Sequence, residues 1–271
     1  MLIEAAGDQF LFDCGRGTSI RLTQYNPKLA SKVDKVFLTH LHSDHIVGLP
    51  SIWLNGWTLG RRVPLKVYGS IGTSNMLNHI RQAYSADIDF RTHEGATNLG
   101  TDIIARNFAN DGVVYHENGV RITAFLVDHG PVVKPAFGYV FEYRGHKVVF
   151  SGDTTVAPNL TKNADILLLE VLDPLRVEFI RSLNFLTPEA REKIISRHLV
   201  AEQAAIIFDD AKPRLGVYYH VGDEPESEQK LVPETRKLYQ GPLIVSKDLM
   251  QFQFWQQSQY INIVDVSPPR Q

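Results

Sequence analysis

The chain has 271 residues, of which 44% are apolar and 21% are charged, a composition typical of a globular protein that can form one α/β domain. Its formal net charge of −2 excludes a general attraction of the whole chain to nucleic-acid backbones, although a local basic patch stays open. The single cysteine, Cys14, excludes an internal disulfide and a cysteine-rich metal site, and no charge-free apolar stretch is long enough to cross a membrane.

The N-terminal elements are predicted to be a β-hairpin, a Gly-rich turn and a short helix. The strands Leu2–Ala5 and Gln9–Phe12 flank a turn, and residues 13–18 lead into a helix over Ser19–Tyr25. No basic segment followed by an apolar one opens the chain, so we expect no signal peptide and, by default, a cytoplasmic protein. The abrupt start in a strand is also what a missing N-terminal piece would produce, which leaves export open.

A dense group of metal-binding residue types follows the third predicted strand. Residues 39–45 read Thr-His-Leu-His-Ser-Asp-His. Residues two apart on an extended strand point to the same side, so we expect His40 and His42 to bind one cation. The chain then turns, so Asp44 and His45 are expected to face a second cation beside the first. The alternative is a histidine-rich surface loop that binds nothing.

The rest of the chain is predicted to alternate strands and helices. The predicted helices are Ile46–Leu59, Thr73–Tyr84 and Glu226–Tyr239, and Pro188–Asp209 is predicted to be largely helical. The predicted strands are Val36–Leu38, Leu65–Tyr68, Val113–His116, Val120–Val127, Tyr139–Tyr143, Lys147–Phe150, Asp165–Glu170, Leu215–Tyr219, Leu243–Ser246 and Gln251–Trp255. This order predicts two sheets packed face to face with helices outside, a four-layer αββα sandwich in one domain over residues 1–271.

Several large side chains carry no functional prediction. Trp53, Trp57 and Tyr84 are interpreted as core residues, with the lining of a substrate pocket as the alternative. Arg61 and Arg62 are interpreted as a solvated pair in a loop.

Three later strands each end at a residue type that binds metals. Histidine follows two of them, at His129 and His220, and aspartate follows the third, at Asp153. Ligand sites in α/β proteins gather at such strand ends. Each residue alone has an ordinary explanation, since an aspartate in a Gly-Asp-Thr turn is commonly a turn former or a helix cap. Their order along the chain, after the first group, favours a metal site.

Together these motifs resemble those of the metallo-β-lactamase-fold hydrolases, and more closely the ribonuclease Z and arylsulfatase-like branch. Phe12-Asp13-Cys14-Gly15 is similar to the first motif of that branch, and residues 39–45 are similar to the second. His129, Asp153 and His220 correspond to the third, fourth and fifth motifs. The resemblance therefore runs over nearly the whole chain.

The resemblance implies a site for two divalent metal ions. It assigns His40, His42 and His129 to one ion, Asp44, His45 and His220 to the other, and Asp153 to a bridge between them. Zinc suits this ligand set, and manganese or iron would also fit. Because a water between two cations has its pKa lowered toward ~7, we expect hydrolysis by a metal-bridging hydroxide, with Asp44 counted among the catalytic residues.

Three further residues are assigned supporting roles. Asp13 is expected to orient a ligand histidine, with a plain turn residue as an equal alternative. Related enzymes carry an acidic residue where Glu170 ends an apolar strand, after a histidine that Leu169 replaces here, and pair it with a distant histidine that resembles His198. We expect His198, held by Glu170, to protonate the leaving group or to bind a substrate anion. The alternative is a histidine at a helix N-terminus with no chemistry.

The fold class alone does not choose the substrate. Nucleases of this branch that mature tRNA carry a long Gly/Pro-rich arm between the third and fourth motifs, whereas one hairpin fills the segment between His129 and Asp153 here, so a tRNA partner is doubtful. We expect a small anionic ester, first of all a phosphodiester. The alternatives are a β-lactam or lactone hydrolase, since Cys14 is no ligand and a histidine-only site is allowed, and a catalytically silent metal-binding or sensing protein.

The edge of the first predicted sheet raises a question of assembly. The family normally has a strand with a Gly-rich turn before the hairpin that opens this chain. Without that strand the hairpin exposes a sheet edge. Either the strand was removed, or the partner in a homodimer covers the edge.

Overall fold

The computed structural model describes residues 1–155, 161–222, 225–254 and 261–266. The chain divides into two compact units, one formed by residues 1–108 with the segment from Lys247 onward and the other by Ala109–Ser246. In the described residues, no helix is both long and apolar enough to cross a bilayer.

Strands and helices alternate along most of the described chain. The strands are β1 (Leu2–Ala5), β2 (Asp8–Phe12), β3 (Lys35–Phe37), β4 (Leu65–Ser70), β5 (Ile103–Phe108), β6 (Gly112–Glu117), β7 (Val120–His129), β8 (Val133–Tyr143), β9 (His146–Phe150), β10 (Ile166–Glu170), β11 (Leu215–Tyr219), β12 (Leu243–Val245), β13 (Met250–Phe254) and β14 (Ile261–Asp265). The helices are α1 (Thr18–Tyr25), α2 (Ser43–Ile46), α3 (Leu49–Thr58), α4 (Thr73–Ala83), α5 (Ser85–His93), α6 (Pro174–Ser182), α7 (Pro188–Ile195), α8 (Ala201–Ala211) and α9 (Pro225–Arg236).

The first unit is built on a five-stranded sheet in the order β1-β2-β3-β4-β5. Strands β1 and β2 form an antiparallel hairpin, and β2 to β5 run parallel to one another. Val36 of β3 and Val67 of β4 pack with Trp53 and Leu77 in one buried cluster. Each such side chain contributes roughly 1.5–3 kcal/mol by leaving water. Because β2 and β3 are parallel neighbours, Asp13 and residues 39–45 leave the sheet at the same edge.

The second unit is built on a seven-stranded sheet in the order β12-β11-β10-β9-β8-β7-β6. Strands β6 to β9 form an antiparallel meander, and β9 to β12 run parallel. Phe125, Leu167 and Phe208 belong to its buried core. In this arrangement β7, β9, β10 and β11 point the same way. The residues at their C-terminal ends therefore lie along one edge.

Two helical segments predicted from the sequence are present, with bounds set by tertiary contacts. The helix predicted over Ile46–Leu59 is α3, which begins three residues later than predicted because a break at Gly48 separates it from α2. A Cβ at Gly48 would lie 2.4 Å from the carbonyl oxygen of Gly15, so the break is where the chain packs against the Gly-rich turn. The prediction that Pro188–Asp209 is largely helical is confirmed, and a loop at residues 196–200 separates α7 from α8 within it.

Five of the described elements were not predicted: α2, β5, α5, α6 and β14. Helix α5 buries none of its residues, so it has no apolar periodicity to recognise. Strand β5 reads Ile-Ile-Ala-Arg-Asn-Phe, with polar residues before its last position and no clear alternation. The predicted last strand includes Trp255, which lies outside the described residues.

The Arg61 side chain is buried, so its interpretation as a solvated residue is wrong. It is only 2% exposed, and its guanidinium donates hydrogen bonds to the carbonyl oxygens of Trp53 (2.8 Å) and Val63 (3.1 Å). Trp53 and Trp57 are buried as interpreted, whereas Tyr84 is 38% exposed and meets Trp53 edge-on. Arg61 therefore connects a carbonyl oxygen of α3 to one in the loop that follows this helix.

Candidate metal centre

The four predicted ligands of the first unit come together after β3. Nε2 of His40 lies 2.9 Å from Nδ1 of His42, and the rings of His40 and His45 are 4.2 Å apart between centroids. His40 and His45 are buried, while the Asp44 carboxylate is exposed and its Oδ2 lies 3.5 Å from Nε2 of His45. Imidazole nitrogens and one carboxylate thus converge within a few ångströms, as ligands of a divalent cation do.

Asp13 forms hydrogen bonds that position His45 and Thr39 of this first group. Its Oδ2 accepts a hydrogen bond from Nδ1 of His45 (2.8 Å), and its carboxylate also accepts the backbone N–H and the hydroxyl of Thr39, both at 2.8 Å. Burial acts to raise the pKa of Asp13, but the adjacent His45 ring and the Thr39 amide outweigh it and lower that pKa. With Nδ1 engaged, the His45 ring presents Nε2 toward Asp44. Sequence reasoning missed Thr39, although it opens the motif.

Asp153 lies among three histidines in the second unit. Its Oδ2 is 3.9 Å from Nε2 of His129 and 3.8 Å from Nδ1 of His198, and its Oδ1 is 3.2 Å from Nδ1 of His220. Asp153 and His129 are almost fully buried, and the His220 side chain is 36% exposed. A carboxylate with both oxygens turned toward imidazoles can contact a metal ion with each oxygen.

The backbone around this second group adopts uncommon conformations. Gly152, before Asp153, has φ of +63°, and His220 has φ of +59°. A left-handed conformation costs a non-glycine residue roughly 1–2 kcal/mol, and such strain is concentrated at functional sites. Nδ1 of His129 lies 3.1 Å from the carbonyl oxygen of Arg197, which leaves Nε2 on the side of Asp153.

Glu170 and His198 form a pair beside Asp153. Oε2 of Glu170 lies 3.1 Å from Nδ1 of His198, and its Oε1 accepts the backbone N–H groups of Thr154 and Leu199, each at 3.1 Å. Burial raises the pKa of Glu170, opposed by the hydrogen bond from His198. For His198 burial lowers the pKa, but the hydrogen bond and the charge of Glu170 outweigh it, so the pKa is raised. His198 lies in the loop before α8, not in the helix itself.

Asp173 is a supporting residue that sequence reasoning missed. It is 1% exposed, and its Oδ1 accepts the backbone N–H groups of Leu175 (3.0 Å) and Arg176 (3.2 Å) at the start of α6. Its Oδ2 accepts the N–H of Gly222 (3.4 Å), two residues after His220. The Asp-Pro dipeptide at positions 173 and 174 was the available signal, since aspartate before proline is a common helix start.

The donor chemistry of both groups fits divalent metal ions. In the second unit, His129, Asp153 and His198 each offer one donor atom, and these atoms lie within 4.8 Å of one another. Both groups offer only nitrogen and oxygen donors, which suits zinc, manganese or iron. The thiol of Cys14 is buried, burial raises its pKa, and Cys14 belongs to none of the groups of metal-binding side chains found among the described residues.

Comparison with known sequences places most of the chain in one family. Residues 8–221 match the family model described as Beta-lactamase superfamily domain. A ribonuclease Z of Mycobacterium marinum is 35% identical over 167 residues, which are 60% of this chain and 59% of that protein. A ribonuclease Z of Mycobacterium avium (strain 104) is 32% identical over 209 residues, 75% of this chain and 72% of that protein. The match to the first of these relatives thus spans less than two thirds of its length.

Solved structures with similar folds cover most of the chain. The metallo-beta-lactamase fold protein YhfI from Bacillus subtilis has a TM-score of 0.65 at 21% identity, and human tRNase Z, short form, has a TM-score of 0.64 at 20% identity. Each match covers 91% of this chain and 88% of the other. Zn(2+)-bound PqqB from Methylobacterium extorquens has a TM-score of 0.59 at 16% identity, covering 91% of this chain and 84% of that one. The predicted α/β fold class is confirmed.

Proposed function

Because the chain belongs to the beta-lactamase superfamily and to its ribonuclease Z branch, we propose that it is a metal-dependent hydrolase of phosphodiester bonds. One observation carries the proposal. Each compact unit gathers histidines and carboxylates at the C-terminal edge of its parallel strands, and each group lacks thiolates. Similarity to a zinc-bound structure adds support for divalent metal.

The proposed ligand set is the one that the family motifs assign to these residues. One ion is held by His40, His42 and His129, the other by Asp44, His45 and His220, and Asp153 contacts both. The short separation of the His40 and His42 nitrogens supports a shared ion. The position of Asp153 among histidines supports its bridging role. Zinc is our first choice of metal, with manganese or iron as alternatives.

The chain's own residues orient the ligands and move a proton. Bound divalent cations supply an acidified water and stabilise charge that develops on the attacked phosphoryl group. Asp13 fixes the ring of His45, so that its Nε2 faces the ion. Glu170 holds Nδ1 of His198, which leaves Nε2 to donate a proton to the departing oxygen. The hydrogen bond and the charge of Glu170 raise the pKa of His198, which favours the protonated form that a general acid needs.

A small phosphodiester is the proposed substrate class. The relatives are named for ribonuclease Z activity, which also brings RNA into consideration. The residues between His129 and Asp153 are all described, and they form β8 and β9 with short turns and no separate arm. The formal net charge of −2 adds no general attraction to a polyanion. Both observations favour a small diester over tRNA.

The test is a substrate panel with protein loaded with Zn²⁺ or Mn²⁺. Bis(p-nitrophenyl) phosphate, a pre-tRNA, nitrocefin, an aryl sulfate and an acyl lactone are compared for the wild type, Asp153→Asn and Glu142→Gln. Glu142 is an exposed carboxylate of β8 that pairs with Arg121 at 3.8 Å, so its variant controls for the loss of one charge. We expect hydrolysis of the diester by the wild type and by Glu142→Gln, and none by Asp153→Asn.

Other outcomes reassign the function. Turnover of nitrocefin or the lactone without the diester would replace the proposal with a β-lactam or lactone hydrolase. Cleavage of pre-tRNA at rates far above those of the diester would replace the small substrate with RNA. Stoichiometric metal with no turnover of any compound would indicate a sensing or binding protein.

A further inference from the structure

Arg197 lies against the second group of metal-binding residues, yet the chemistry described so far makes no use of its side chain. It occupies the loop between α7 and α8, directly before His198. Its carbonyl oxygen is 3.1 Å from Nδ1 of His129. The rings of His129 and His198 are 5.1 Å apart between centroids and meet edge to face. The Arg197 backbone is therefore fixed between two histidines of the site.

The side chain of Arg197 runs across the turn that follows His129. A Cβ at Gly130 would lie 3.0 Å from Cγ and 3.1 Å from Nε of Arg197, and Gly130 has φ of +83°. The absence of a side chain at Gly130 thus lets the arginine stem lie flat on the turn. This packing holds the base of the guanidinium beside the end of β7, where His129 leaves the sheet.

The charge of Arg197 is not balanced by the part of the chain that the structure describes. Its side chain is half-buried, and no carboxylate of the described residues forms an ion pair with it. Asp128, in the same turn, instead accepts the N–H of Gly130 at 3.0 Å. Other arginines of this unit have partners, as Arg181 does with Glu192 at 3.0 Å. A guanidinium without a carboxylate partner among the described residues is available to bind an anionic ligand.

We propose that the guanidinium of Arg197 binds phosphate oxygens of the substrate and sets the preference of the site for anionic esters. This inference rests on the proposed function and names the residue that recognises its substrate class. A guanidinium donates two parallel hydrogen bonds that match two oxygens of a phosphate, and it stays charged at every accessible pH. Because its backbone contacts His129 and its stem packs on Gly130, the guanidinium starts from the edge of the second group, within reach of a phosphate bound there.

The test compares Arg197→Met with Arg121→Met in the metal-loaded protein. Methionine keeps an unbranched stem to pack on Gly130 and removes the charge, and Arg121 lies on β7 far from His129 in an exposed pair with Glu142. Michaelis constants are measured with bis(p-nitrophenyl) phosphate, and the affinity for inorganic phosphate is measured by calorimetry. We expect Arg197→Met to raise KM and the phosphate Kd about 10- to 100-fold, the worth of hydrogen bonds to a charged group. Arg121→Met should leave both unchanged.

Two further measurements distinguish a role of Arg197 in binding phosphate from a role in maintaining the fold. Metal content and the thermal midpoint of Arg197→Met should equal those of the wild type, and Arg197→Lys should recover part of the affinity. An unchanged phosphate Kd in Arg197→Met would overturn the inference. So would a loss of phosphate affinity that is accompanied, in both Arg197→Met and Arg197→Lys, by loss of metal or by unfolding. If the wild type binds phosphate through Arg197 but cleaves no diester, the inference stands and the proposed function fails.

Discussion

Glu170 holds three partners with its two oxygens: the His198 ring and the backbone N–H groups of Thr154 and Leu199. The carboxylate thereby joins the turn after β9 to the loop before α8. Loss of any of these donors would leave the buried carboxylate with one hydrogen bond fewer, which costs free energy. We therefore expect the Glu170–His198 pair to be rigid. At the residue scale, this rigidity is what would keep one nitrogen of His198 aimed at the substrate.

Replacing His198 by alanine is expected to lower kcat about 10²- to 10⁴-fold, the usual contribution of a general acid. Because the pKa of His198 is raised, the protonated form persists to higher pH than for a free histidine and is lost as the pH rises further, so the wild type should lose activity on the alkaline side. That alkaline limb should vanish in the variant, while metal content stays the same. Steady-state rates across the pH range measure both effects.

His146→Ala is the matched control for that experiment. His146 belongs to the same unit and lies 3.5 Å from Asp165, away from Asp153. Its replacement should leave kcat and the pH profile unchanged. An identical profile for His198→Ala and the wild type would remove His198 from the mechanism.

The residues of the candidate site could be recognised from sequence, and some core residues could not. Histidine and aspartate at strand ends have few other uses in such numbers, so their type and spacing predicted where to look. Arg61 had the opposite outcome, because an Arg-Arg dipeptide in a loop gives no local sign of burial. Its acceptors include the carbonyl oxygens of Val33 and Gly100, which only the folded chain brings to it.

At the scale of elements, Asp173 connects the start of α6 to the turn after β11. One oxygen caps the helix and the other accepts the N–H of Gly222, next to the segment that carries His220. His220 already has a left-handed backbone that its neighbours must maintain. A single buried carboxylate therefore supports both a helix and a proposed ligand.

Asp173→Ala is expected to lower the free energy of unfolding by about 1–2 kcal/mol, the cost of a lost N-cap, and to weaken metal retention. Asp173→Asn keeps one capping oxygen for α6 but sets an NH2 group against the N–H of Gly222, so it should retain most of the stability of the helix while still weakening metal retention. Urea unfolding of the metal-loaded proteins, with metal content measured after dialysis, makes the comparison. Equal stability of the alanine variant and the wild type would show that Asp173 supports neither element.

Elements with strong periodicity were predicted, and interruptions imposed by tertiary contacts were not. Strand β11 was predicted at its observed bounds because an apolar run is bounded by a charged residue and a histidine. The separation of α2 from α3 depends on how closely Gly48 approaches Gly15, a contact between residues 33 positions apart. The loop that carries His198 between α7 and α8 depends likewise on Glu170, whose oxygen accepts the N–H of Leu199.

At the scale of the whole molecule, the two units carry the predicted ligands in separate stretches of sequence. The first unit supplies the residues of one dense motif, and the second supplies single residues from several strand ends. The resemblance of all motifs in order is what predicted that they serve one site. Substrate identity was beyond sequence reasoning, since pocket shape and groups such as Arg197 are set by folded loops.

The central claim is that seven side chains bind two divalent ions. Its most direct test is an anomalous difference map from crystals of the zinc-loaded protein, recorded on both sides of the zinc absorption edge. We expect two peaks, one contacted by His40, His42 and His129, the other by Asp44, His45 and His220, with Asp153 contacting both. A map without peaks at these residues, or with one peak that excludes Asp153, would contradict it.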